Sequence, residues 1–184
     1  MKAKKIIKES LKVLILGSLL SSIGGLSLEA IKTKLSILLP LVMVLPALAD
    51  MIGDAGIIFV SKVTTYLDSG KIKLSNLKSK LIRHLFFQLL FIFSISSVYV
   101  TLLSITISYF QGFSVTLEFI FKMLLIVLLT TIFIVVLVFS AALIGAKYAF
   151  KKKIDPDDLL IPITTSIADL GSLIIFSLLV IWLF

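Results

Sequence analysis

Five long apolar stretches, separated by short polar or charged joints, organise the chain. They run at about 10–31, 35–65, 79–110, 114–149 and 157–184. Each exceeds the ~20 residues that a helix rising ~1.5 Å per residue needs to cross the hydrocarbon of a bilayer. None alternates with a period of two, which excludes a transmembrane barrel. With no water at depth, a helix is then the only way to pair every backbone group. The pattern predicts an all-α integral membrane protein: five transmembrane helices forming a single transmembrane domain over 1–184. The joints carry breakers or charge, at Glu29 to Lys34, DSGKIK (68–73), QG (111–112) and KKKIDPDD (151–158). Spans longer than ~20 residues must tilt, protrude or break. The second is the most prone to break, because Pro40 and Pro46 precede ADMIGDAG with Gly53 and Gly56. Irregular backbone at membrane depth is tolerated only against protein or a water-filled cavity.

Composition agrees with the pattern. Hydrophobic residues make up 59% of the 184 and mean hydropathy is +1.19, above the roughly half-apolar make-up of soluble domains. The net charge of +8 does not point to nucleic acid, because the basic residues sit between apolar runs rather than on an aromatic-studded surface. Their distribution predicts topology instead. Lys2, Lys4, Lys5, Lys8, Lys12, Lys62, Lys71, Lys73, Lys78, Lys80, Arg83, Lys147, Lys151, Lys152 and Lys153 fall on one side, and only Lys32, Lys34 and Lys122 on the other. That asymmetry places the amino terminus inside and the carboxyl terminus outside a cell membrane, in a multi-pass protein. Tyr66 and Tyr148 then lie near the inner interface and Tyr109 and Trp182 near the outer, as in an aromatic belt. The Lys-rich start followed by LKVLILGSLL also fits a secretory leader, although no A-x-A-like cleavage site follows it. Cysteine is absent and His84 is the single histidine, which excludes disulfides, thiolate metal sites and an imidazole cluster within one chain.

The chemistry lies in acids placed inside the spans. An aspartate at the centre of a spanning helix costs ~2.5–3.5 kcal/mol on insertion scales, so it needs a compensating partner or a function. Asp50 and Asp54 are four apart and share a helical face, where two carboxylates repel unless a cation or proton sits between them. A structural reading of the pair is that one caps a broken half-helix and the other meets inner-side water. Asp169 lies ~20 Å along the helix from Pro156, near mid-bilayer. Asp158, Pro162, Thr165 and Asp169 follow steps of four, three and four along one stripe, a hydrophilic path from the inside. The plain alternative for Asp169 is a bond to a hydroxyl of a neighbouring helix. In DPDD, Asp155 suits an N-cap, Pro156 the first helical position, and Asp157 and Asp158 the positive end of the dipole. The same cluster suits a cation-collecting mouth. Ala141, Ala142, Gly145 and Ala146 read as a helix contact surface, and Arg83 and His84 as inner-interface residues.

At these residues the chain resembles the MgtE-type magnesium channels and transporters, relatives of the eukaryotic solute-carrier magnesium transporters. DPDDLLIPITTSIADLGSL at 155–173 is similar to that family's last helix, through Asp155, Pro156, Pro162, Thr164, Thr165 and Asp169. PALADMIGDAG at 46–56 is similar to its second, through Pro46, Gly53, Ala55 and Gly56. Asp54 stands where an asparagine is usual there, and Ile58 where a glutamine is usual. The resemblance implies a divalent-cation transporter or channel for Mg²⁺, a homodimer or a heterodimer with a paralogue, and a pore between subunits lined by the second and fifth helices. Its deep aspartate, here Asp169, holds the hydrated cation, with Asp50, Asp54, Thr165, Asp155 and Asp158 as further metal-facing candidates. No resident cofactor is implied, Mg²⁺ being cargo. The family's cytosolic sensor and cystathionine-synthase-like domains have no counterpart in the 184 residues.

Mg²⁺ suits such a site: it is hard, prefers oxygen and dehydrates reluctantly, so one or two carboxylates and retained water suffice. Enzyme readings fare worse. An intramembrane aspartyl protease pairing Asp54 with Asp169 lacks the GxGD pattern, since Met51 stands three before Asp54. A phosphatidyltransferase would need a longer, regularly spaced aspartate motif, and no GxxxxGK[ST] loop for ATP is present. A non-transporting membrane assembly subunit accounts for the small size but leaves Asp169 unexplained.

Overall fold

The structure, a computed structural model, describes residues 3–152 and 154–184; among the first sixteen, side chains are described at 11, 14 and 15 only. Lys2 and Lys153, and the side chains of Lys4, Lys5, Lys8 and Lys12, lie outside the described residues. The helices are α1 (Ala3–Glu29), α2 (Lys32–Ile37), α3 (Leu39–Asp68), α4 (Lys80–Phe110), α5 (Leu117–Lys152) and α6 (Pro156–Leu183). Among the described residues there is no strand. Four helices, α3 to α6, are long and apolar enough to cross a membrane by length and composition.

The joints fall where the breakers stand. Gly70 (φ +69°) follows α3 and Gly112 (φ +89°) follows α4, both in the left-handed region that a Cβ disfavours. Ser79 caps α4 by accepting from the Ile82 amide at 3.4 Å. Asp155 caps α6, accepting from the Asp157 amide at 3.0 Å, with Pro156 at the first helical position.

The break expected in the second span is displaced. Helix ends at Ile37, Leu38 turns the chain at φ −101°, ψ 80°, and Pro40 sits in the first turn of α3. A residue just inside a helix start has no intrahelical donor to lose, so Pro40 starts α3 instead of breaking it. From there α3 runs unbroken through Pro46, Gly53 and Gly56. Pro46 is exposed, which leaves room for its ring; Gly53 and Gly56 are both buried, and Gly56 sits at a helix contact, so neither loosens a turn.

Each of α4, α5 and α6 runs antiparallel to the helix before it. Ser104 of α4 donates to the Pro40 carbonyl of α3 at 2.7 Å. Leu41, Val44, Leu48, Ile52, Met123, Ile126 and Phe176 form one fully buried cluster. Towards the α3–α4 joint, Phe59 and Phe86 each pack on Phe139 with ring centroids 4.4 Å apart. Lipid tails are as apolar as leucine, so close approach and interhelical bonds hold such helices together. Accordingly Ala142 and Ala146 are buried, and a Cβ on Gly145 would collide with Leu160 of α6. The buried hydroxyls of Thr101, Thr130 and Thr131 are satisfied within their own helices, by carbonyls four residues back at 2.7, 2.8 and 2.9 Å. Tyr109, Tyr148 and Trp182 stand exposed close to helix ends, and Arg83 and His84 are exposed in the first turn of α4.

α6 is the hub, packing against α1, α3 and α5. α1 lies parallel to it: Gly17 meets Ser166, Ser21 meets Asp169, Gly24 meets Leu170, and Ser27 meets Ser177. Among the described residues, α1 has no comparable contact with α3, α4 or α5.

Candidate cation site in the groove over α6

Two helices lie on α6 without packing on each other, so a groove runs between them. Its floor is the α6 stripe of Asp158, Pro162, Thr165 and Asp169. α1 forms one wall and α3 the other.

The α3 wall carries the acids. Asp50 and Asp54 are both exposed, one turn apart near the middle of the 30-residue helix. Nearby, Gly56 presses on α6: a Cβ there would sit 3.1 Å from the Thr164 hydroxyl and 3.1 Å from Val138 of α5. Gly53 is buried on the same side, yet a Cβ there would meet nothing within 4 Å. Space is therefore left beside α3 where it faces α6, bordered by the two acids.

Asp169 is half-buried on the floor, and its Oδ2 accepts a bond from the Ser21 hydroxyl of α1 at 3.1 Å. Asp50 lies within electrostatic reach of Asp169 from the opposite wall. The two carboxylates brought together are thus Asp50 and Asp169, from different helices. Ser21 was not found by sequence reasoning, which offered a neighbouring hydroxyl only as the plain alternative for Asp169. The signal available was spacing: Gly17, Ser21 and Gly24 recur at four and three, a small-residue face on an apolar helix.

The remaining candidates are less committed. Thr165 donates to the Ile161 and Pro162 carbonyls, both at 3.0 Å, so its hydroxyl lone pairs stay free for the groove. Pro162 has no N–H to give the Asp158 carbonyl, which loses its usual helical donor on the same stripe. Asp158 is exposed at the entrance, and Asp155 is engaged as the cap. Among the described residues, Asp157 Oδ1 and Thr64 Oγ1 are buried with no hydrogen-bond partner, at the start of α6 and towards the end of α3 respectively. No group of three or more metal-ligating side chains occurs among the described residues. One chain thus offers a lined path with two or three carboxylates, suited to an ion that keeps most of its water.

The sequence model of one family, MgtE, described as a divalent cation transporter, matches residues 45–179. The chain belongs to the MgtE family. The match begins within α3 and ends within α6, so α4 and α5 lie wholly inside it, with most of α3 and α6 and with Asp50, Asp54, Thr165 and Asp169. α1, with Ser21, precedes it. MgtE proteins are transporters of divalent cations such as Mg²⁺, not enzymes, and the chain is a multi-pass membrane protein on that membership and its four apolar helices. No curated protein and no solved structure matches the chain.

Proposed function

We propose that the protein conducts Mg²⁺ across the cell membrane through a pore made by two copies of the groove. Each copy is lined by α3 and α6, and Asp169 holds the hydrated ion. The observation that carries this reading is the exposure of Asp50 and Asp54 at the middle of an apolar helix, beside a half-buried Asp169. Facing lipid, each such acid costs ~2.5–3.5 kcal/mol or more. Facing a second groove, the same carboxylates line water and a cation. Mg²⁺ keeps several waters and takes one or two carboxylates, which an Asp169 from each of two copies supplies.

The parallel run of α1 beside α6 supports a fifth crossing, with α1, α4 and α6 in one direction and α3 and α5 in the other. The basic joints then all fall on the inside, with the amino terminus inside and the carboxyl terminus outside. An inside-negative potential supplies ~2.3 kcal/mol per charge per 100 mV, doubled for a divalent ion.

Mg²⁺ influx into proteoliposomes decides the matter. Wild type is expected to take up Mg²⁺ and Asp169→Ala to fall to the level of empty liposomes. Uptake undiminished in Asp169→Ala would remove Asp169 from the pore. No uptake of any divalent ion by wild type would favour an assembly subunit.

A further inference from the structure

We infer that Ser21 is a specificity-setting residue: by holding Oδ2 of Asp169 on the α1 side, it presents a single oxygen, Oδ1, to the groove, which suits hydrated Mg²⁺ and disfavours two-oxygen binding of Ca²⁺. The inference rests on Asp169 being the residue that meets the ion.

Ser18, Ser22 and Ser27 of α1 donate to carbonyls of their own helix, at 2.9, 2.8 and 2.7 Å. That is the ordinary habit of a helical serine. Ser21 alone of the described α1 serines donates to another helix's carboxylate, at 3.1 Å. The backbone is arranged for this. A Cβ on Gly17, one turn before, would collide with the Ser166 hydroxyl, and one on Gly24, a turn after, would come within 3.1 Å of the Leu170 Cα. The two glycines bring α1 close enough to α6 for a side chain as short as serine's to reach across.

The other oxygen, Oδ1, makes no hydrogen bond among the described residues and is not sealed from solvent. With Oδ2 held on the α1 side, Oδ1 is left for the groove. Ca²⁺ takes six to eight oxygens and uses carboxylates with both oxygens at once; Mg²⁺ holds its waters and accepts one oxygen, directly or through water. A carboxylate tethered by one oxygen therefore discriminates between them without any size filter. Its tether lies on α1, which precedes the family-matched stretch.

The test is Ca²⁺ block of Mg²⁺ influx in proteoliposomes. In Ser21→Ala, the Ca²⁺ concentration that halves influx is expected to fall by on the order of tenfold, because both carboxylate oxygens become available to Ca²⁺. Ser21→Thr, which keeps a hydroxyl, is expected to restore the wild-type value. A purely structural role would lower influx without moving the Ca²⁺ midpoint. If Ser21→Ala yields no active protein, Ser21→Cys, a weak donor of similar size, carries the same comparison. An unchanged midpoint in Ser21→Ala, or in Ser21→Cys where the alanine variant does not transport, overturns the inference. Failure of the underlying reading shows separately, as uptake that survives Asp169→Ala.

Discussion

Asp169, Asp155 and Asp158 sit on the same helix and differ in what already holds them. Asp155 is bonded to the Asp157 amide and ends the helix properly; asparagine caps about as well as aspartate. Asp155→Asn should therefore keep the fold and reduce Mg²⁺ influx less than Asp169→Asn, when both are assayed at equal reconstituted amounts. The reverse order would move the selective step to the inner mouth. Asp169 was legible from the sequence because a mid-span acid is costly wherever it occurs. Asp50 was legible as half of a pair with Asp54 and as a companion of Asp169, and it lies within electrostatic reach of Asp169, since the face of α3 that meets α6 is set by Gly56 against Thr164. Ser21 was not legible, because most helical serines bond locally and its partner is 148 residues away.

At the scale of helices, the two glycines of α3 do opposite things. Gly56 is filled from outside by Thr164 and Val138. Gly56→Val should force α3, α5 and α6 apart and cost about 1–3 kcal/mol, the usual penalty of overpacking, read as a lower melting temperature in detergent. Gly53→Ala meets open space and gains helix propensity of up to ~1 kcal/mol. It should leave the melting temperature equal or higher while lowering influx, because the added methyl narrows the groove. The five apolar stretches and their joints were readable to within a few residues, apart from α1, whose described helix starts at Ala3, because length, charge and Gly70 or Gly112 fix them locally. The break was misplaced because a proline's effect depends on its position in the helix, and nothing local says that α3 starts at Leu39.

For the whole molecule, the dimer proposed above would close the open side of the groove over α6. The chain contains no cysteine, so one introduced thiol is unambiguous. In Asp54→Cys protein, a short bis-maleimide reagent should link two chains in membranes, seen as a doubled mass on a denaturing gel. A lipid-facing position would stay unlinked and react poorly, because thiol alkylation needs the thiolate. The parallel pairing of α1 with α6 has a further bearing on how the protein is made. In the proposed five-span arrangement, α1 enters the bilayer before α3, α4 and α5, and α6 follows them. The α1 hydroxyls meet Asp169 and Ser177 only when α6 arrives. Asp169, in turn, enters the membrane with its hydroxyl partner already in place. Completion of the proposed cation path is thereby tied to the arrival of α6, and a chain stopped short of α6 has no floor for an ion to cross.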